Sequence, residues 1–215
     1  MSKEKDLIKF IFEQHNRLSC IMRFNNTPRL ASESVCEHSY YVAFLSMLVG
    51  DYLEKEGLKF DKPRLLRMAL LHDVEEIISG DIIKVLKSGG FKKELDKMNV
   101  SSMEFLTGVL GEEGEAYFTL WQEAKRKETL EAKIIDLIDM VACVLYSVKE
   151  IHLGNKYFKE ILEYVVKKVL KFSQKIPEAK SFIRELTDYA LGYLLEDKKI
   201  YDAINRAVRI YDYDE

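Results

Sequence analysis

Three cysteines, three prolines and ten glycines in 215 residues are few, and each shortage excludes something. Cys20, Cys36 and Cys143 show no paired spacing, which excludes a disulfide framework and points to a reducing compartment. So few prolines and glycines leave long uninterrupted stretches, unlike a chain of many short strands joined by turns. No charge-free run approaches the roughly 18–20 residues that span a bilayer. The first residues, Met-Ser-Lys-Glu-Lys-Asp, have no apolar signal core. A formal net charge of -3 gives no attraction for a nucleic-acid backbone or an anionic membrane. Internal repeats, low-complexity tracts and alternating strand patterns are missing as well. A cytoplasmic protein with neither nucleic-acid nor membrane partner is expected.

What is present is helical period, supported by 47% apolar residues, enough for a sizeable core. Residues 5–20 interleave charges with Leu7, Ile8, Phe10, Ile11 and Phe12. Arg23 to Glu33, with Pro28 and Asn25-Asn26, reads as loop. Ser34-Val35-Cys36-Glu37 has capping-box form. After it, His38, Tyr41, Val42, Leu45, Leu48, Val49 and Tyr52 share one helix face. Asp61 and Pro63 start another helix, which carries Leu65, Ala69, His72 and Glu76 on one stripe and ends at Gly80. Residues 82–110 read as one or two amphipathic helices broken at Ser88-Gly89-Gly90, and Gly108, Gly111 and Gly114 as a loop before a helix around Trp121. Residues 128–152 form a long buried helix, and Asn155 to Phe172 another with Tyr157, Phe158, Ile161, Leu162, Val165, Val169 and Leu170 inward. The last 40 residues continue helical. The expected fold is an all-α, single-domain helical bundle over 1–215, with its core at about 7–172 and C-terminal helices over 173–215.

Polar residues inside these apolar helices carry the chemistry. Asp139 and Asp136 are the only charges between Ile134 and Val148. Asp73 follows Met68-Ala69-Leu70-Leu71-His72, and His38 lies on the inward face of its helix. A buried carboxylate costs several kcal/mol unless paired or metal-bound. Two imidazoles and two carboxylates on three helices therefore point to one divalent cation, with His38, His72, Asp73 and Asp139 as its ligands. Mixed N/O donors suit Mn, Fe, Co, Ni or Zn better than an all-oxygen site would, and Mg stays on the list of cations to test. Glu76, on the same side of a continuous helix as His72 and Asp73, would orient or deprotonate a water. Asp81, just past Gly80, would lie at the mouth of the site.

The strings Glu33-Ser34-Val35-Cys36-Glu37-His38-Ser39, His72-Asp73-Val74-Glu75-Glu76, Gly80-Asp81-Ile82, Trp121-Gln122-Glu123 and Glu131-Ala132-Lys133 run in order toward Asp139. In this order they resemble the HD-domain metal-dependent phosphohydrolases, in the branch that includes 5'-deoxynucleotidases, over residues 7 to 172. The resemblance implies an all-helical fold, commonly a homodimer, that hydrolyses a nucleoside 5'-monophosphate to nucleoside and phosphate. It implies His38, His72, Asp73 and Asp139 as metal ligands, with Asp73 and Glu76 serving catalysis. It implies Arg17 for the substrate phosphate and Asp81 for the sugar. Two positions depart from the pattern. Leu18 stands where bacterial members often have an aromatic residue, which bears on deoxyribose selectivity. Asp136 stands where many relatives have a lysine, which makes the site more negative.

Each residue also has a plainer reading. Asp81 reads equally as the N-cap of a following helix, and Arg17 as a surface ion-pair residue, with Arg23 a weaker second candidate for the phosphate. Glu75 reads as solvent-facing, Glu37 as the capping partner of Ser34, and Asp136 as a surface or supporting carboxylate. His15 and His152 read as surface residues, Cys36 as facing away from the metal and Cys143 as core. Tyr117, Phe118 and Trp121 read as a packing stripe, and Lys125-Arg126-Lys127 as a solvated turn. Competing activities are hydrolysis of a triphosphate, alarmone or cyclic nucleotide, or nucleotide binding without catalysis.

Overall fold

The computed structural model describes residues 3–82 and 90–192, and among them every regular element is helical. The helices are α1 (Lys3–Gln14), α2 (Val35–Lys55), α3 (Lys62–Leu71), the single-turn α4 (Glu76–Ser79), α5 (Lys92–Thr107), α6 (Glu112–Arg126), α7 (Leu130–His152), α8 (Phe158–Ser173) and α9 (Lys180–Gly192). The all-α expectation holds. The break expected at Ser88-Gly89 and the helix expected beyond residue 192 lie outside the described residues. No helix among those described is long and apolar enough to cross a membrane.

α7 is the axis of the molecule. Its Ile134, Leu137, Ile138 and Val141 are fully buried, and α2, α3, α6 and α8 all pack on it. One continuous apolar cluster joins these helices, from Val42 and Leu53 through Met68 to Leu162, Val166 and Ile183.

Local chemistry sets where the helices begin. Ser34 accepts from the Glu37 amide at 3.2 Å while Glu37 accepts from the Ser34 amide at 2.7 Å, the reciprocal capping box. Asp61 caps α3 by accepting from the Arg64 amide at 2.9 Å, and Thr129 caps α7.

Three expectations need correction. First, α3 ends at Leu71 and the chain turns through His72 to Glu75 before α4, so the helix is not continuous to Gly80. Second, Gly114 lies inside α6 rather than in a loop; a Cβ there would sit 2.0 Å from the Thr107 carbonyl oxygen, so glycine alone lets α5 and α6 approach. Third, Tyr41, Leu48 and Tyr157 are exposed. The apolar residues of α2 outnumber the positions its partners cover, and Tyr157 precedes the first turn of α8.

Candidate metal centre and its cavity

The four expected ligands are delivered by three separately anchored elements. His38 stands in the first turn of α2, just inside the Ser34–Glu37 box. α3 is tied to its neighbours at its start. Glu131 accepts from the Asp61 amide at 2.8 Å, and Glu123 binds the Arg64 guanidinium while accepting from Thr129 Oγ1 at 2.8 Å. The Glu123 and Glu131 strings that carry the resemblance therefore fix α3, and with it the turn bearing His72 and Asp73. Asp139 projects from the middle of α7.

These four side chains meet. His38 Nε2 lies 3.0 Å from Asp139 Oδ1, 3.3 Å from His72 Nε2 and 3.6 Å from Asp73 Oδ2, and His72 Nε2 lies 3.2 Å from Asp73 Oδ2. One donor atom each from His38, His72 and Asp139 falls within 4.8 Å of the others, close enough to share a cation. His72 Nδ1 faces the Ala69 carbonyl at 2.7 Å. That bond places the proton on Nδ1 and turns the Nε2 lone pair toward the cluster, the usual arrangement behind a metal-ligating histidine. His38 Nδ1 is buried without a hydrogen-bond partner. His38 is wholly buried while the Asp139 side chain is 41% exposed, so the cluster opens along α7.

The electrostatics favour a bound cation. Burial opposes ionisation of Asp73 and Asp139, yet the imidazoles, with Lys125 beside Asp73, hold both carboxyls well below the ordinary range. Burial pushes the His38 imidazole down, and the Arg23 charge pushes it the same way. For His72 burial works downward, but Asp73 and Asp139 win and lift it to about 9. Two anionic oxygens facing two ring nitrogens demand positive charge between them, from protons or from a metal. The mixed N/O donor set fits a first-row divalent ion.

Beside the cluster lies a cavity of about 570 Å³ between α4, α5 and α6, lined by Asp73, Glu76, Lys92, Asn99, Trp121 and Lys125 among others. Glu76 is buried and lines this cavity from the start of α4. Glu75 is also buried, against expectation. It accepts from Trp121 Nε1 at 2.7 Å and pairs with Lys125 Nζ at 2.6 Å. Lys125 Nζ stands a further 3.5 Å from Asp73 Oδ1. Trp121 is thus a hydrogen-bond donor as well as packing, and Lys125 lines the cavity from the last turn of α6 rather than standing in a solvated turn. The only sequence signal was the i,i+4 spacing of Trp121 and Lys125.

Other expected site residues fall elsewhere. Asp81 Oδ2 accepts from the Phe24 amide at 3.0 Å, and its carbonyl accepts from Asn25 Nδ2 at 2.7 Å. It thereby holds the loop where Phe24 adopts a left-handed φ of 53°. Gly80, at φ 70°, makes the turn that allows this. The helix that Asp81 would cap lies outside the described residues. Arg17 is exposed, its Nε donating to the Glu13 carbonyl at 2.8 Å, on a short 3-10 segment that packs against α2 and α4. Arg23 is committed to Glu33 at 2.6 Å, and Asp139 and Glu33 keep its guanidinium charged despite burial. Asp136 is paired with Lys127, so its charge is compensated by the end of α6.

Comparison with known proteins accords with this geometry. A family model described as 5'-deoxynucleotidase YfbR-like matches residues 10–190. The 5'-deoxynucleotidase HDDC2 of Xenopus laevis is 32% identical over 118 residues, 54% of this chain and 55% of that one. That of Dictyostelium discoideum is likewise 32% identical, with 60% of its length matched, so the chain spans little more than half of these relatives. A 4'-phosphooxetanocin A phosphatase of Priestia megaterium is 27% identical over 77% of this chain and 86% of its own. The crystal structure of an HD-domain phosphohydrolase from Listeria innocua superposes with a TM-score of 0.80 at 23% identity, covering 97% of this chain and 99% of that one. At that identity it establishes the shared fold.

Proposed function

We propose, because the chain belongs to the YfbR-like 5'-deoxynucleotidase family, that it is a metal-dependent phosphomonoesterase hydrolysing (deoxy)nucleoside 5'-monophosphates. One observation carries this reading. The Nε2 atoms of His38 and His72 and the carboxylates of Asp73 and Asp139 converge beside a cavity that also holds Glu76. His38, His72, Asp73 and Asp139 are the ligands, for Mn, Co, Fe, Ni, Zn or Mg. The cation supplies Lewis-acid polarisation of the phosphoryl group and acidifies water.

Glu76 is the general base. It takes the proton as the water oxygen bonds to phosphorus and the phosphorus–O5' bond breaks, and that proton leaves with the 5'-oxygen as nucleoside. Asp73 serves both as ligand and as the anchor that faces the cavity. Arg17, on a segment packed against α4, meets the phosphate from the solvent side, and Asp81 fixes the Phe24 loop next to the sugar. Leu18, in the same segment, sets how strictly deoxyribose is preferred. Residues 7–172 hold the core of a single domain, with α9 as its extension. The exposed stripe of Tyr40, Phe44, Met47 and Leu48 on α2 supports a homodimer. Three free cysteines fit a cytoplasmic setting.

The test is phosphate release from ribo- and deoxyribonucleoside 5'-monophosphates by chelator-stripped protein reloaded separately with Mn, Co, Mg or Zn. Release from the deoxy series, alone or alongside ribonucleotides, is expected. Silence with every metal, or release of pyrophosphate or triphosphate from a nucleoside triphosphate instead, overturns the reading.

A further inference from the structure

Of the basic side chains that line the cavity beside the metal centre, Lys125 is held still by the fold. Lys125 reaches the cavity from the last turn of α6, with its ammonium 2.6 Å from Glu75 and 3.5 Å from Asp73 Oδ1. Glu75 in turn is 2% exposed and receives the Trp121 indole N–H at 2.7 Å, while Trp121 itself is fixed in the core. Burying a carboxylate is costly unless it is paired and hydrogen-bonded. Here both conditions are met, and the result is a lysine whose long side chain has lost most of its freedom. The Lys125 side chain remains 38% exposed, on the cavity wall. The indole ring face, 5.7 Å from Nζ, adds a further cation-stabilising contact.

Position gives this ammonium a use. Asp73 presents Oδ2 to the two imidazoles and Oδ1 to Lys125. A phosphate touching the metal side of Asp73 therefore has a fixed donor within reach on the other side of the same carboxylate. Arg17 is exposed and does not line the cavity; Lys92, Arg126 and Lys127 do line it, Lys127 paired with Asp136, but among the described residues Lys125 is the cavity cation in contact with Asp73.

We propose that Lys125, locked by Glu75 and Trp121, is a substrate-binding residue that contacts the phosphoryl oxygens of the nucleoside monophosphate. The inference rests on the phosphomonoesterase reading and adds to Arg17, on the solvent side, a second cation that meets the phosphate from the cavity wall. Glu75 and Trp121 act through Lys125 and are positioning residues.

The experiment is paired titration of the full chain, first with Mn and then, in the Mn-loaded protein, with inorganic phosphate. Steady-state kinetics on a deoxynucleoside 5'-monophosphate run alongside. Lys125→Met should weaken phosphate binding and raise KM about 10- to 100-fold, the loss of one charge-assisted hydrogen bond. Its Mn affinity should stay or rise, since a neighbouring positive charge has gone. Lys125→Arg, which keeps charge and donors, should recover phosphate affinity to within about threefold. Lys125→Met with wild-type phosphate affinity overturns the role of Lys125, as does Lys125→Arg binding no better than Lys125→Met. Wild-type protein that takes up no Mn overturns the metal-site reading itself, and the inference with it.

Discussion

Asp139 and Glu150 are eleven residues apart on α7, about three turns, so they stand on the same face of one helix. They nonetheless sit in opposite kinds of environment. Glu150 is wholly buried and its carboxylate is saturated. It accepts from the Leu30 amide at 2.9 Å, the Ala31 amide at 2.6 Å, Asn155 Nδ2 at 2.5 Å and the Tyr146 hydroxyl at 3.2 Å. These bonds pin the 28–31 loop to α7, and Phe24 stacks on Tyr146 at 5.1 Å to extend the clamp. Asp139 instead faces His38, which faces His72 and Asp73, so ring nitrogens and carboxylate oxygens converge on one point. A buried acid whose donors all come from the chain is structural. An acid that meets the ring nitrogens of a shared cluster is placed to ligate a cation.

The widest separation should come from Glu76→Gln set against Glu150→Ala. Glu76→Gln should retain Mn binding and lose about 10²- to 10⁴-fold of turnover, the worth of a general base; unchanged turnover in phosphate-release assays contradicts its role. Glu150→Ala should do the reverse, costing about 3 kcal/mol in chemical denaturation by orphaning buried donors. In that variant Mn affinity of the folded protein should stay at the wild-type value. A large loss of Mn affinity there would mean that the Asp139 and Glu150 sites on α7 are not independent.

Acid should reveal the same contrast more gently. The hydrogen bonds to Glu150 hold its folded-state pKa below the ordinary 4.5. Its stabilisation is therefore fully present above about 4.5 and lost as pH falls through the lower folded value. In wild type, thermal stability should decline below about pH 4.5, and in Glu150→Gln that part of the decline should shrink. Ser34→Ala removes only the α2 cap and should cost about 1 kcal/mol, with a small drop in Mn affinity because His38 sits in the turn it orders.

Much of this was legible from residues alone. The Ser34–Glu37 box, the Asp61 cap and the apolar period of α7 are local signals, and local signals survive folding. The convergence of His38, His72, Asp73 and Asp139 followed from the cost of burying polar groups on three helices. What escaped depends on tertiary partners. Glu75 looks solvent-facing until Trp121, 46 residues on, supplies its N–H. Lys125 looks like one of three solvated cations until that same glutamate draws it inward. The break after Leu71 has no proline or glycine to announce it, because the turn is imposed by the site. Tyr41 and Leu48 obey the helical period yet stay exposed, since period fixes a face and only packing decides what covers it. Asp136 reads as an added negative charge until Lys127 is seen beside it.

The decisive measurement is thermal unfolding of chelator-stripped protein with and without Mn, for wild type and for Asp139→Asn. At about a hundred times its dissociation constant, a ligand bound only by the folded state adds about 2.7 kcal/mol. Wild type should therefore rise clearly in Tm, while Asp139→Asn, as stable without metal, should scarcely move. No rise in wild type, or an equal rise in both, would contradict a metal centre built on these four side chains.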